Sequence, residues 1–309
     1  MNSLGLYLTS VLIWGSTWWV ITFQFGPVPP AISVCYRFAL ASLVLFAWCR
    51  ARGLRLAFST NDHLWMALQG VLLFGVNCVC VYLAEVEITS ALVAVVFSLV
   101  VFLNIAGTRV FFGTAFKSST VLGAVLGVSG VVLVFLPELR DNTAKGDAKL
   151  GLILALAGAV TASGGNLVAS RNHRRGLPVM QMNTFGMLYG AIFVALYAVL
   201  AGQPFRIDGS AHYLLSLAYL TLLGSVVAFS AFLTLLGRIG ADRAGYVTVA
   251  VPVVALLISG LFEGLHWSPL LILGVLLCLA GNVSVLGLGR DSVSRRGSVA
   301  ERIGEETKA

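Results

Sequence analysis

Residues 110–134 read VFFGTAFKSSTVLGAVLGVSGVVLV, and residues 261–285 read LFEGLHWSPLLILGVLLCLAGNVSV. Placed in register at a shift of 151 residues, without gaps, the second stretch is a faint copy of the first. Phe111, Gly113, Leu122, Gly123, Leu126, Gly130, Val132 and Val134 meet Phe262, Gly264, Leu273, Gly274, Leu277, Gly281, Val283 and Val285. Two Leu- and Val-rich segments share some residues in any case, so the glycines, reproduced at three positions, carry the weight. Self-similarity at a fixed long shift marks an architecture built by repetition.

Outward from these copies, the chain is a series of apolar runs. Crossing a bilayer as a helix takes about 20 mostly apolar residues. Leu4–Phe25, Leu64–Ala84, Ile88–Thr108, Ser118–Pro137, Leu150–Ser170, Leu177–Phe205, Tyr213–Gly237 and Ala244–Phe262 qualify without a charge. Leu265–Gly289 is interrupted only by His266, and Ala31–Cys49 only by Arg37. Hydrocarbon offers the backbone no hydrogen-bond partner, so each run must be a helix, and none alternates with the period of two of a barrel strand. Composition agrees: of 309 residues 58% are hydrophobic and 11% charged, against about 25% charged in soluble domains. A soluble core of this size could not hide so much apolar side chain.

A shift near 151 divides ten helices into five and five. An odd number per half sets the halves in opposite membrane orientations, the usual plan of alternating-access carriers with a site near mid-membrane. The expected fold is therefore an all-α integral membrane protein, ten transmembrane helices as two inverted five-helix repeats around a central cavity. Residues 1–137 form the first repeat, 138–149 an external connecting loop, 150–289 the second repeat and 290–309 a disordered cytoplasmic tail rich in charge, Ser and Gly.

The net charge of +7 and pI of 9.4 raise the question of nucleic acid, but the cations are not on one surface. Counted on alternate loops, fifteen fall on the side of Arg50, Arg109, Arg171 and the tail, and four (Arg140, Lys145, Lys149, Arg206) on the other; Arg37 completes the 20. This split fits the positive-inside rule, places both termini in the cytoplasm and leaves no reason to invoke nucleic acid. No charge precedes Arg37, so the first run reads as a retained helix rather than a cleaved leader. Cys35, Cys49, Cys78, Cys80 and Cys278 lie in apolar runs without metal-ligand spacing and read as small buried hydrophobes. Neither cofactor nor metal is expected.

With loops this short, function resides among the helices. Arg37 is the sharpest candidate, because a charge in hydrocarbon costs at least about 2.5–3.5 kcal/mol and faces a cavity or a partner. It reads two ways: a lure for a substrate carboxylate, or a structural clamp on backbone carbonyls that also snorkels. Trp14, Trp18, Asn77, Tyr82, Ser163 and Asn166 lie in the middle of their runs and are the further candidates for lining a cavity; packing between helices is the plain alternative for each. Asn104, Thr248 and Phe97 share that depth. Asp, Glu and His are missing from mid-run, with Glu85, Glu87 and Glu263 at ends, so a carboxylate proton relay is not expected and facilitative, uniport-like transport is. Gly123/Gly127, Gly186/Gly190 and Gly260/Gly264 have the spacing of close helix contacts, here read as packing within a monomer. Gly164-Gly165 reads equally as a loosened helix beside the cavity or as tight packing against a neighbour.

Trp14-Gly15-Ser16-Thr17 in helix 1, Tyr36-Arg37-Phe38 in helix 2, Pro252 followed by Glu263-Gly264 in helix 9, and the mirrored glycines of helices 5 and 10 together resemble the drug/metabolite transporter superfamily, in its EamA-type branch of ten-helix exporters. The resemblance covers about residues 4–289. It implies export of amino acids or related small metabolites through a central cavity in the bacterial inner membrane, with lipid as the other partner. The chain departs from the pattern where Ser98-Leu99-Val100-Val101 stands in place of a proline matching Pro252, and where Phe112 stands opposite Glu263. Helix 4 thus lacks the bend that Pro252 is expected to give helix 9. A broad-specificity drug or metabolite pump and a lipid flippase are alternatives on the same fold. An intramembrane lipid-modifying enzyme is disfavoured, since no acid–base pair, metal cluster or phosphate loop is visible; no catalytic residue is assigned.

Overall fold

The computed structural model describes residues 1–113, 118–141, 146–244, 246–265 and 267–287. The tail expected over 290–309 lies outside them. Every regular element among the described residues is helical. Seven helices have the length and apolarity to cross a bilayer, and three shorter apolar ones (Val121–Pro137, Val247–Phe262, Pro269–Ser284) bring the spans to ten. In chain order they are α1 (Ser3–Ile21), α2 (Pro30–Ala51), α3 (Thr60–Glu87), α4 (Ser90–Phe111), α5 (Ser118–Asp141), α6 (Ala148–Arg174), α7 (Val179–Leu200), α8 (Ala211–Ile239), α9 (Tyr246–Phe262) and α10 (Pro269–Gly287).

Local chemistry sets the ends. Ser59 and Asp62 close a capping box before α3, each side chain accepting from the other's backbone N–H. Asp147 caps α6 by accepting from the N–H groups of Lys149 and Leu150, at 2.9 and 3.1 Å. Pro30 opens α2, where its missing N–H costs nothing. Gly113 ends α4 in the left-handed region at φ +68°.

The packing has the symmetry implied by the repeat. Exchanging α1 with α6, α2 with α7, α3 with α8, α4 with α9 and α5 with α10 carries each principal contact onto another. The pairs α2–α7, α5–α10 and α4–α9 map onto themselves, α3–α6 onto α8–α1, and α4–α6 onto α9–α1. The mirrored glycines lie at the α5–α10 contact. A Cβ on Gly130 would sit 2.5 Å from the Gly274 carbonyl oxygen, one on Gly274 2.6 Å from the Gly130 oxygen, and one on Gly281 2.5 Å from the Gly123 oxygen. The two backbones touch where only hydrogen fits. The paired glycines Gly186 and Gly190 meet Gly70 of α3 in the same way, a Cβ on Gly70 falling 2.1 Å from the Gly186 oxygen.

The breaks in helical regularity fall neither at Pro252 nor at Gly164-Gly165. The helix with Pro252 runs unbroken from Tyr246 to Phe262, whereas α4, without proline, is interrupted at Ser98-Leu99. The helix with Gly164-Gly165 is also unbroken; Gly165 is small because a Cβ there would lie 2.6 Å from that of Leu73. The spans that loosen are α3 and α8, each with a π-helical segment, Val71–Val76 and Leu220–Val227. Gly75 and Gly224, 149 residues apart, lie in these segments, so the irregularity is itself duplicated.

Candidate functional site

A wider turn changes which carbonyls are used. In a π segment the N–H reaches five residues back, as Asn77 N–H does to Leu72 and Ala228 N–H to Leu223. Carbonyls passed over need other donors, which is one reason such bulges recur at functional sites. Leu73 and Gly224 supply them, at a separation of 151 residues. The Leu73 oxygen accepts from Asn77 Nδ2 at 3.0 Å. The Gly224 oxygen accepts from Trp14 Nε1 at 3.2 Å, across from α1. Two of the cavity candidates are therefore held by the two bulges.

Between the bulges lies a cavity of about 130 Å³. At about 10–15 Å³ per water in this measure it has room for roughly ten waters, the lower end of small-molecule sites. Its wall comes from α1, α2, α3, α4, α6, α8 and α9. Helices α5, α7 and α10 contribute nothing to it and act as scaffold. Most of the wall is apolar and aromatic. Trp14 packs on Phe229 and Phe232, with ring centroids 4.9 Å away in each case, and Trp18 meets Phe97 edge-on at 5.1 Å. A second cavity of about 20 Å³ shares Asn166, Phe232 and Thr248 with the first and continues past Asn104, Thr108 and Ser170. Thr108 and Ser170 sit in the last turns of α4 and α6, so this extension points to the face of the bundle that carries the N-terminus.

The charged element is Arg37. Only 4% of it is exposed, so it does not snorkel. Its Nε donates to Ser225 Oγ at 2.9 Å, and Ser225 Oγ donates in turn to the Leu220 carbonyl at 2.9 Å. The Arg37 carbonyl accepts from Thr221 Oγ1 at 3.5 Å. Gly224 leaves room for this clamp, since a Cβ there would lie 3.2 Å from Arg37 Nη2 and 2.9 Å from Thr17 Cγ2. Arg37 nonetheless forms part of the cavity wall. It thus braces the bulge of α8 through Nε and at the same time lines the cavity.

Trp14, Trp18, Arg37, Asn77 and Asn166 come together on the cavity wall. Tyr82 and Ser163 do not. Tyr82 is fully buried behind Arg37 and donates to Gln24 Oε1 at 3.2 Å, and Gln24 Nε2 donates to Ser216 Oγ at 3.3 Å. Ser163 is buried off the cavity. Two polar atoms in the wall residues, Trp18 Nε1 and Asn77 Oδ1, are buried without a hydrogen-bond partner. Sequence reasoning passed over Thr17, Gln24, Gly224, Ser225, Phe229 and Phe232; the 149-residue match of Gly75 with Gly224 was the available signal for the third and fourth. No group of three His, Cys, Asp or Glu among the described residues could hold a metal ion. All five cysteines are free thiols.

The profile of the EamA-like transporter family matches residues 1–136 and 149–287. The chain is 28% identical over 257 residues to "Uncharacterized inner membrane transporter YedA" of Escherichia coli (strain K12), covering 82% of this chain and 81% of that protein. It is 25% identical over 301 residues to "Probable amino-acid metabolite efflux pump" of the same organism, covering 92% and 94%. A solved structure described only as "Crystal structure of protein" superposes with a TM-score of 0.70 at 21% identity, over 94% of this chain and 98% of that one. The last likeness shows the fold alone.

Proposed function

Because the chain belongs to the EamA-like transporter family, we propose that it exports small amphipathic metabolites bearing a carboxylate, amino acids first among them, by alternating access and without a coupling ion. The cavity is the binding site. One observation carries the reading: a buried guanidinium in the wall of an aromatic-lined cavity. A buried cation is costly, and a bound carboxylate lowers that cost. The aromatic wall takes the apolar body of the solute, and Asn77, Asn166 and Trp18 offer the hydrogen bonds that fix its polar end. The relative named as an amino-acid metabolite efflux pump agrees with this substrate class.

In this reading the N-terminal face is cytoplasmic, the second cavity is the route by which substrate enters, and the halves 1–137 and 150–289 rock about the site. The test is purified protein in liposomes preloaded with a panel of labelled amino acids and their decarboxylated amines. Release of one or more amino acids, well ahead of a slower release of the matching amines, is the expected result. Release of none of the acids defeats the proposal.

A further inference from the structure

At the face opposite the N-terminus lies a polar contact to which the proposed cycle assigns no role. Glu263, just beyond α9, directs Oε2 at two hydroxyls: Ser90 Oγ, the first residue of α4, donates at 2.7 Å, and Ser259 Oγ, one turn back on α9, at 2.5 Å. Ser90 and Ser259 are 1% and 0% exposed, and Glu263 Oε1 is buried without a hydrogen-bond partner. The carboxylate also sits at the N-terminal end of the helix that Ser90 opens. Beside it Trp19 stacks on Phe262, centroids 4.7 Å apart. Helices α4 and α9 both line the cavity, and this contact joins their ends at that face.

The repeat shows what the opposite mouth lacks. Shifted by 151 residues, Glu263, Ser90 and Ser259 correspond to Phe112, Ala241 and Thr108. Neither Phe112 nor Ala241 has a side chain that can accept or donate a hydrogen bond. The residues of one mouth thus form a clasp that the corresponding residues in the other half lack the groups to make, and the second cavity extends towards the face of those counterparts. In a two-state carrier, contacts present in only one state set the resting population.

We infer that Glu263 is a positioning residue of the transport cycle: through Ser90 and Ser259 it holds the mouth opposite the N-terminus closed and biases the empty protein towards the state open at the N-terminal face. The inference rests on the carrier reading, but its test needs no substrate. Cys78 is a native reporter on the cavity wall. With the other four cysteines replaced by alanine, its reaction with a membrane-impermeant thiol reagent is timed from each face of oriented vesicles, for the parent, Glu263→Ala, Ser90→Ala and Glu263→Gln. Losing the clasp is expected to raise labelling from the Glu263 face by about tenfold in Glu263→Ala, the worth of one charge-assisted bond, and by less in Ser90→Ala, with Glu263→Gln nearer the parent because its carboxamide still accepts. Labelling from the N-terminal face should fall in step. If Glu263→Ala is not monodisperse, Ser90→Ala decides alone. Unchanged labelling from the Glu263 face in a monodisperse variant overturns the inference. Gating without transport of any amino acid would leave it standing and remove the substrate assignment instead.

Discussion

Replacing Arg37 by Gln should abolish recognition of the substrate carboxylate while sparing the fold, and the structure lets the size be worked out. At 4 Å and an effective dielectric constant near 20, a guanidinium and a carboxylate attract by about 4 kcal/mol, and desolvation of the incoming anion offsets part of it. Removing one partner of a buried, hydrogen-bonded charge pair costs about 2–5 kcal/mol. A net loss of about 2–4 kcal/mol is roughly 30- to 1000-fold in transport efficiency for an amino acid. The structural cost is smaller. Nε gives up one 2.9 Å bond to Ser225, worth about 1.5–3 kcal/mol for a charged donor, against relief of the burial cost of the charge itself. Counterflow in proteoliposomes with an amino acid and its decarboxylated amine separates the two roles. The acid should lose roughly 30-fold or more and the amine should be unaffected, while Ser225→Ala lowers both equally and modestly. If Arg37→Gln depresses acid and amine by the same factor, Arg37 is only the brace of α8 and the carboxylate argument is refuted.

Gly70→Ala forces a Cβ to 2.1 Å from the Gly186 oxygen, whereas Gly53→Ala meets nothing within 4 Å and bears only the strain of φ +62°. Overpacking of that kind costs about 3 kcal/mol or more against about 1–2 for the strain, so the thermal midpoint in detergent should fall clearly further for Gly70→Ala; equal midpoints would contradict the close α3–α7 contact. Trp14→Phe keeps the packing on Phe229 and Phe232 but strands the Gly224 carbonyl, and should lower stability by about 1–3 kcal/mol, read by thermal unfolding against Trp48→Phe at the exposed end of α2. Finally, with no Asp, Glu or His in mid-run, an uncoupler should leave the amino-acid flux unchanged; accumulation that collapses on its addition would reverse the facilitative assignment.

The plan of the molecule could be read without coordinates because the bilayer allows so few solutions. Hydrocarbon compels each apolar run to be a helix, short connections compel alternation, and the mirrored glycines divide the chain. The ten runs reappear as α1–α10 with ends shifted by a few residues, most where polar caps such as Ser59 and Asp147 extend a helix beyond its apolar stretch. Arg37 was conspicuous for the same reason, since a charge in an apolar run has few explanations. Inverted halves, by contrast, entered as a consequence of an odd helix count, and the symmetric pairing of the packed helices supplied the independent reason.

Hydropathy carries no information on which side of a helix faces a cavity when every side is apolar, and there the sequence ran out. Tyr82 and Asn77 lie five residues apart on α3 at similar depth, yet Asn77 reaches the cavity and Tyr82 is sealed behind Arg37. That distinction depends on the π segments, which rotate the downstream turns of their helices by an amount no local pattern specifies, and on the approach of α1 and α2 to α8. The clasp of Glu263 with Ser90 joins residues 173 positions apart, each unremarkable at the end of its own run. Span number, helical class and the duplication belong to the sequence because the solvent dictates them. Helix rotation, the two bulges, the cavity wall and the Glu263 clasp belong to the tertiary structure, because they arise only where separate helices press their backbones together.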